Sequence, residues 1–132
     1  MLEKAERCME SKSRLILFAH GSREPRWCAA FQALEAQLQA EKGVDSVRLA
    51  YLEFVGPTLA DAVGEAARDG VTHLRLLPLF LAAGAHVESD IPELVAAIWH
   101  EYPAIRIEVL PIVGQHPAVI AAIYNAALQA SR

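Results

Sequence analysis

Four apolar segments of strand length alternate with four helical patterns, and this order restricts the fold more than any other feature of the sequence. The predicted strands lie at residues 14–19, 46–52, 71–81 and 105–110, and the helices that follow them lie at residues 24–42, 58–70, 90–101 and 117–129. Each strand is mostly apolar rather than alternating, which is typical of a parallel sheet covered by helices on both faces. We therefore expect a single α/β domain at residues 13–132, preceded by a polar N-terminal tail at residues 1–12.

Short-range signals set the predicted helix bounds. Pro25 suits the first turn of the first helix. Thr58 and Asp61 are spaced as a capping pair at the start of the second helix. Asp90, with Pro92 in the first turn, is expected to cap the third helix. A stripe at helical spacing on the first helix is expected to face the core: Trp27, Phe31, Leu34 and Leu38.

The composition favours a packed domain and argues against several classes of function. The chain has 132 residues, of which 54% are hydrophobic and 21% are charged, enough to build a core. Its formal net charge of −4 argues against nucleic-acid binding, which needs a basic face. The longest apolar run, at residues 76–87, is shorter than the ~20 residues that span a bilayer, and the polar start lacks the apolar region of a secretory signal. We expect a cytoplasmic protein that binds neither nucleic acid nor membranes.

The strand order decides which strand ends meet. With right-handed crossovers, a four-stranded parallel sheet of this kind favours the order 2-1-3-4, the start of a flavodoxin-like fold. In that order the first and third strands are neighbours, and the helices that follow them lie on opposite faces. A crevice then opens beyond the carboxyl ends of these two strands, where ligands of open α/β sheets bind.

Both of these neighbouring strands run out into a loop that presents a histidine. His20 follows the first strand and His86 follows the third, and Gly21 and Gly84 allow sharp turns beside them. Imidazole binds Co²⁺, Fe²⁺, Ni²⁺ and Zn²⁺ and moves protons near neutral pH. Glu53 adds a carboxylate just past the second strand. The pattern predicts a paired histidine site at this edge.

Three segments also carry a resemblance to a known family. They are His-Gly-Ser-Arg at residues 20–23, Leu-Glu-Phe at residues 52–54, and P-L-F-L-x-x-G-x-H-x-x-x-D-I-P at residues 78–92. Over nearly the whole chain after the tail, the sequence resembles the small sirohydrochlorin chelatases of the CbiX type. The resemblance implies a chelatase-like α/β fold. It also implies insertion of a divalent metal into a tetrapyrrole without ATP, in cobalamin or sirohaem biosynthesis.

The resemblance implies roles for individual residues. His20 and His86 would handle the metal and catalyse its insertion, with Glu53 as a third catalytic residue. Ser22 and Arg23, beside the start of the first helix, are expected to hold carboxylates of sirohydrochlorin. The metal is a substrate, with cobalt favoured over iron or nickel, and no organic cofactor is expected. Short members of the family pair as homodimers around one active site, which implies a homodimer here.

Other interpretations remain open at this point. The chain could be an iron or nickel chelatase of the same family, or a module that binds tetrapyrrole or metal without turnover. Phosphoryl transfer is disfavoured, because histidine phosphatases carry Arg directly before His-Gly and this chain has Ala19 there. Glu88 could face the site. The remaining candidates are interpreted as structural or solvated residues: Arg26, Cys28, His73, His100 and His116.

Overall fold

The computed structural model describes residues 12–82 and 84–132, apart from the side chains of residues 85–88. Residues 1–11 of the predicted tail (residues 1–12), including Cys8, lie outside the described residues. Within them, strands and α-helices alternate in the order β1 (Ser13–Ala19), α1 (Pro25–Lys42), β2 (Val47–Tyr51), α2 (Leu59–Arg68), β3 (His73–Pro78), α3 (Ala85–Glu101), β4 (Arg106–Val109) and α4 (Pro117–Ala130). A one-turn 3-10 helix, Val113–Gln115, precedes α4. None of the helices described is long and apolar enough to cross a membrane.

The sheet has the predicted topology. Its four strands are parallel and lie in the order β2-β1-β3-β4, so the flavodoxin-like order 2-1-3-4 is confirmed. Leu17 of β1 is in register with Leu49 of β2 and with Leu77 of β3. The carboxyl ends of these three strands therefore lie together at one edge of the sheet.

The central strand is buried on both faces. Ile16 and Phe18 belong to a core cluster beneath α2 and α3, whereas Leu17 and Ala19 belong to a second cluster beneath α1. Successive side chains of a strand point to opposite faces, so a strand covered on both sides must be apolar at every position. This burial explains why β1 reads as a continuous apolar run.

The capping prediction for α2 is confirmed. The Thr58 side chain accepts a hydrogen bond from the Asp61 N–H (3.1 Å), and the Asp61 carboxylate accepts one from the Thr58 N–H (3.0 Å). This reciprocal pair satisfies two backbone donors that a helix start leaves without partners.

The predicted core stripe on α1 is wrong in two of its four members. Trp27 is 65% exposed and Leu34 is 36% exposed, whereas Phe31 and Leu38 pack against the core near the buried Cys28. Consecutive residues of a helix are about 100° apart around its axis. Cys28 lies on the buried face. Its neighbour Trp27 is therefore turned away from the core, and so is Leu34, seven residues after Trp27.

The predicted start of α3 is also wrong. The helix begins at Ala85 with Gly84 as its N-cap, so Asp90 is not the cap and Pro92 lies inside the helix. A proline removes one backbone hydrogen bond, but it does not always end a helix. The preceding strand is shorter than predicted and ends at Pro78, which has no N–H to donate. His86 therefore belongs to the first turn of a helix rather than to a loop.

A buried arginine joins several segments at the amino end of the sheet. The Arg14 side chain is fully buried, and its Nη2 donates to Asp69 Oδ2 (3.0 Å) while its Nε donates to the Asp45 carbonyl oxygen (2.7 Å). This hydrogen bond from Arg14, together with the arginine's positive charge, lowers the pKa of Asp69. A buried charge that lost its partners would strongly destabilise the fold.

We predict that Asp69→Asn lowers the free energy of unfolding at pH 7. Because the pKa of Asp69 is lower in the folded than in the unfolded chain, its stabilisation is present above the ordinary aspartate pKa of about 3.9 and is lost as the pH falls through the folded value. Urea unfolding at pH 7 and pH 3 should show a deficit that shrinks at the lower pH. Glu41→Gln, on the exposed side of α1, serves as the control. Equal stability of wild type and Asp69→Asn at pH 7 would contradict this account.

Candidate functional site

Parallel pairing continues past the ends of β1 and β2 and brings two predicted site residues together. The Leu52 N–H donates to the Ala19 carbonyl oxygen (2.8 Å), and the Glu53 N–H donates to the His20 carbonyl oxygen (3.1 Å). As a result, His20 Nε2 lies 2.8 Å from Glu53 Oε1. The chain thus forms a histidine–carboxylate pair at the carboxyl edge of the sheet.

The His20–Glu53 pair is open to solvent. The His20 side chain is 57% exposed and the Glu53 side chain is 47% exposed. When the carboxylate is ionised, it accepts the proton of Nε2, and Nδ1 of the neutral ring keeps its lone pair. That nitrogen can then bind a metal ion or accept a proton, in an orientation that the carboxylate fixes.

Gly21 allows the close approach between the two loops of this pair. Its backbone has φ +97°, and a β-carbon built there would collide with the carbonyl oxygen of Glu53. Glycine is therefore required both for the positive φ and for the contact. The sequence indicated the turn at Gly21, whereas its close approach to Glu53 is visible only in the folded chain.

Two phenylalanines without a predicted role flank His20. The ring centroids of Phe54 and Phe80 each lie 6.3 Å from that of His20. Phe54 is 55% exposed, and Arg23 Cζ lies 5.1 Å from its ring centroid, a cation–π contact. The aromatic residue directly after Glu53 is visible in the sequence, but nothing there indicates its contact with His20. The edge therefore offers apolar ring faces and a cation beside the imidazole.

A cavity of about 380 Å³ opens next to His20. Among the residues that line it are Gly21, Trp27, Cys28 and Tyr51, so the exposed Trp27 lies at this cavity rather than in the core. Burial raises the pKa of Tyr51 to about 12, which keeps its hydroxyl protonated across the physiological range. The free, buried thiol of Cys28 agrees with its interpretation as a small hydrophobic residue.

The two predicted substrate-binding residues lie at the start of α1. Ser22 Oγ accepts a hydrogen bond from the Glu24 N–H (3.0 Å) and so shapes the turn into the helix, while its own proton remains available to a ligand. Arg23 lies over the Phe54 ring. Arg26 is 80% exposed, with its Nε 3.8 Å from Glu24 Oε2, as expected for a solvated side chain.

The described structure gives only part of the predicted histidine pair. His86 lies in the first turn of α3, and this turn follows β3, the neighbour of β1. The side chains of His86 and Glu88 lie outside the described residues, so the convergence of two imidazoles stays a prediction. Among the side chains that the structure does describe, no three histidine, cysteine or acidic groups cluster as a metal site.

The other histidines have roles away from this edge or lie at the surface. His73 Nε2 is 3.2 Å from Glu108 Oε2, and His116 Nδ1 accepts the Ala118 N–H (3.1 Å) as the cap of α4. His100 is exposed near the end of α3. These placements agree with the structural or surface roles expected from the sequence.

Comparison with known proteins identifies the family. Residues 14–130 match the family model described as CbiX, and the chain therefore belongs to the CbiX family. It is 28% identical over 114 residues to a sirohydrochlorin ferrochelatase of Bacillus subtilis, a match that covers 86% of this chain and 44% of that protein. It is 31% identical over 81 residues to a sirohydrochlorin cobaltochelatase of Methanopyrus kandleri, covering 61% of this chain and 57% of that protein. The chain thus spans about half the length of these relatives.

Solved structures agree with this assignment. A crystal structure of a CbiX protein from Marinobacter aquaeolei matches with a TM-score of 0.78 and 32% identity, covering 90% of this chain and 94% of that one. The sirohydrochlorin chelatase SirB from Bacillus subtilis subspecies spizizenii, solved in complex with cobalt, matches with a TM-score of 0.77 and 28% identity. This second match covers 89% of this chain and 50% of that one.

Two glycine substitutions separate backbone strain from collision. Gly21 and Gly43 both have positive φ, but a β-carbon on Gly43 meets nothing within 4 Å. We predict that Gly43→Ala costs about 1–3 kcal/mol from backbone strain alone. Gly21→Ala should cost more, because it also pushes the Glu53 loop away from His20. Urea unfolding of both variants measures the difference, and a loss for Gly21→Ala no greater than for Gly43→Ala would show that the contact is unimportant.

Proposed function

We propose that this protein is a sirohydrochlorin chelatase that inserts a divalent metal into the tetrapyrrole without ATP. The observation that carries the proposal is the exposed His20–Glu53 pair at the carboxyl edge of the sheet, 2.8 Å between nitrogen and oxygen, in a chain of the CbiX family. The names of its relatives supply the substrate: they are ferrochelatases and cobaltochelatases of sirohydrochlorin.

The reaction exchanges one dication for two protons. The metal binds the macrocycle nitrogens, and the two pyrrole N–H protons leave to basic groups or water. With Nε2 held by Glu53, His20 Nδ1 is the available lone pair and can either ligate the incoming metal or take a proton. We assign His86 the complementary task, since one nitrogen cannot do both at once. A site with few protein ligands also leaves coordination positions open, so that the ion can be passed on.

Sirohydrochlorin is a flat polycarboxylate, and the surroundings of His20 suit both properties. The exposed ring of Phe54 offers an apolar face to a macrocycle. The Arg23 guanidinium over this ring can make charge-assisted hydrogen bonds to a substrate carboxylate. The proton of Ser22 Oγ, free to be donated, supports its proposed place in the same substrate contact.

We further propose cobalt as the preferred metal, with iron and nickel as alternatives. Imidazole and carboxylate ligands bind all three ions, with affinity rising from Fe²⁺ through Co²⁺ to Ni²⁺. The relatives include both cobalto- and ferrochelatases at similar identity. Selection would then follow metal supply and open coordination geometry rather than ligand type.

A homodimer completes the proposal. The chain matches 94% of the Marinobacter aquaeolei CbiX protein but only 50% of the cobalt-bound SirB chain. One domain of this size covers one side of a flat macrocycle, so a second copy would supply the other wall.

A chelation assay with purified protein, sirohydrochlorin and Co²⁺, followed by absorbance, tests the proposal. We predict that His20→Ala and His86→Ala each lower the rate by about 10²–10⁴-fold, the usual contribution of a proton-transfer group. Glu53→Gln should lower it by about 10–100-fold, because the carboxylate only orients the imidazole. His100→Ala, on the exposed part of α3, should leave the rate unchanged. Tight binding of sirohydrochlorin with no acceleration over the uncatalysed rate would instead support a binding module.

The carboxylate contact is tested separately. Arg23→Ala should raise KM for sirohydrochlorin by about 10-fold with little change in kcat, as expected for an interaction made equally in the ground and transition states. Arg26→Ala, at an 80% exposed neighbour, is the matched control. Equal effects of the two substitutions on KM would remove Arg23 from the substrate site.

A further inference from the structure

Phe54 has an unusual backbone conformation directly after the His20–Glu53 pair. Among the described residues it is the only non-glycine with a positive φ, at +71°. The Val55 N–H donates to the Glu53 carbonyl oxygen (2.9 Å), and a hydrogen bond of this span around a positive φ forms a γ-turn of the rare, strained kind. Such a conformation favours glycine and is an outlier for a bulky residue. A phenylalanine therefore stands where the backbone alone would select glycine, which points to a use for its ring.

The core makes no use of the Phe54 ring. Phe54 is 55% exposed and belongs to neither of the two core clusters. Its ring contacts are instead at the candidate site, with the His20 ring and with the Arg23 guanidinium. Backbone strain of this kind is concentrated at sites that bind ligands or change conformation. The ring is therefore presented to a ligand rather than packed into the fold.

The Arg23 guanidinium lies over the Phe54 ring without a stronger partner. Its Cζ is 5.1 Å from the ring centroid, and among the described residues its side chain makes no hydrogen bond or ion pair. The neighbouring Arg26, by contrast, pairs with Glu24 (3.8 Å). A cation over an exposed ring is held weakly, whereas a charge-assisted hydrogen bond to a carboxylate is strong. A ligand that carries a carboxylate can therefore draw the guanidinium off the ring.

Space for this movement lies between the start of α1 and the strained turn. A cavity of about 320 Å³ is lined there by residues that include Ser22, Arg23, Phe54 and Val55. The Ser22 hydroxyl has a proton to donate, and the first turn of α1 adds the positive end of the helix dipole. The cavity therefore suits the carboxylate of a ligand whose flat part rests on Phe54.

We propose that Arg23 and Phe54 form an exchangeable cover over the site. The macrocycle displaces the guanidinium from the Phe54 ring and stacks there, and the guanidinium then binds a carboxylate of the same molecule. This inference rests on the proposed function, since it takes sirohydrochlorin as the ligand, and it makes Phe54 a specificity-determining residue. A flat ring without a carboxylate would leave Arg23 without a partner, and a carboxylate without a flat ring would leave Phe54 bare. Only a ligand with both features replaces the contact that it breaks.

A double-mutant cycle on the Kd for sirohydrochlorin, titrated by absorbance without metal, tests the exchange. Arg23→Ala should raise the Kd about 10-fold and Phe54→Leu about 5-fold. Each single substitution also removes the cation–π contact that the wild type must break, a contact equivalent to about 2–5-fold in Kd. The double variant should therefore lose more than the product of the two effects, about 100–250-fold in all.

A contact that stays in place during binding gives a different result. If Arg23 remained over Phe54, the double variant would lose the product of the two single effects, about 50-fold, or less, and this result would overturn the proposal. Arg26→Ala combined with Phe54→Leu is the matched control and should show no coupling. Coupling of the same size in this control pair would also overturn the proposal. Far-UV circular dichroism checks that each variant folds.

Two further substitutions measure the strain of the turn. Phe54→Gly and Phe54→Ala both remove the ring, but only alanine keeps a β-carbon at the positive φ. Urea unfolding should therefore give a higher midpoint for Phe54→Gly than for Phe54→Ala. Equal midpoints, or a higher one for Phe54→Ala, would mean that the turn is unstrained and would overturn the proposal.

The experiments separate this proposal from the chelatase function. A wild type that binds sirohydrochlorin and inserts metal, but shows no coupling between Arg23 and Phe54, overturns the exchange alone. Tight binding and the expected coupling without metal insertion support the exchange and overturn the chelatase function. A wild type that does not bind sirohydrochlorin overturns both.

Discussion

The parallel pairing of β1 with strands on both sides positions the His20–Glu53 pair at the carboxyl edge of the sheet. Hydrogen bonds continue beyond the strand ends, from Leu52 to Ala19 and from Leu79 to Phe18. Three segments thus leave the sheet side by side rather than as independent loops. Because β1 is buried on both faces, the backbone that leads into His20 is packed on both sides. The arrangement presents an imidazole at an exposed edge without enclosing it, which suits the proposed exchange of a large planar ligand.

Among the described residues, the site combines a closely packed backbone with few metal-binding side chains. Gly21 lets the His20 loop lie directly against the Glu53 backbone, so the pair needs no further side chain to hold it in place. A metal ion that met only His20, and in the proposed mechanism His86, would be bound more loosely than in a closed four-ligand site. In the proposed reaction the metal is a substrate, and loose binding on a rigid edge allows it to leave with the macrocycle.

The sheet order, and with it the edge at which His20 and Glu53 lie, could be predicted because it depends on features that are continuous along the chain. Apolar strands buried on both faces and right-handed crossovers allow few sheet orders. The errors arose where tertiary contacts decide. Trp27 and Leu34 fit a helical stripe, yet the buried face is centred elsewhere on α1. Pro92 indicated a helix start, but the helix begins at Ala85. The positions of Phe54 and Phe80 around His20 depend on three separate segments, and no local pattern indicates such a contact.

The distribution of apolar residues links the fold to its proposed assembly. The chain is 54% hydrophobic, and the two core clusters account for the strands, α2 and parts of α1 and α3. Much of the remainder is concentrated in two places, a groove between α3 and β4 and an exposed stripe of α4 formed by Ile120, Ile123, Tyr124 and Leu128. An edge strand normally avoids pairing with other chains because it is charged or short. β4 has only four residues, so its backbone edge is already protected. Its exposed apolar face is the feature that remains uncovered. Both surfaces are exposed in the described part of the chain, and the homodimer proposed above would supply a second copy against which apolar surfaces of this kind can be buried.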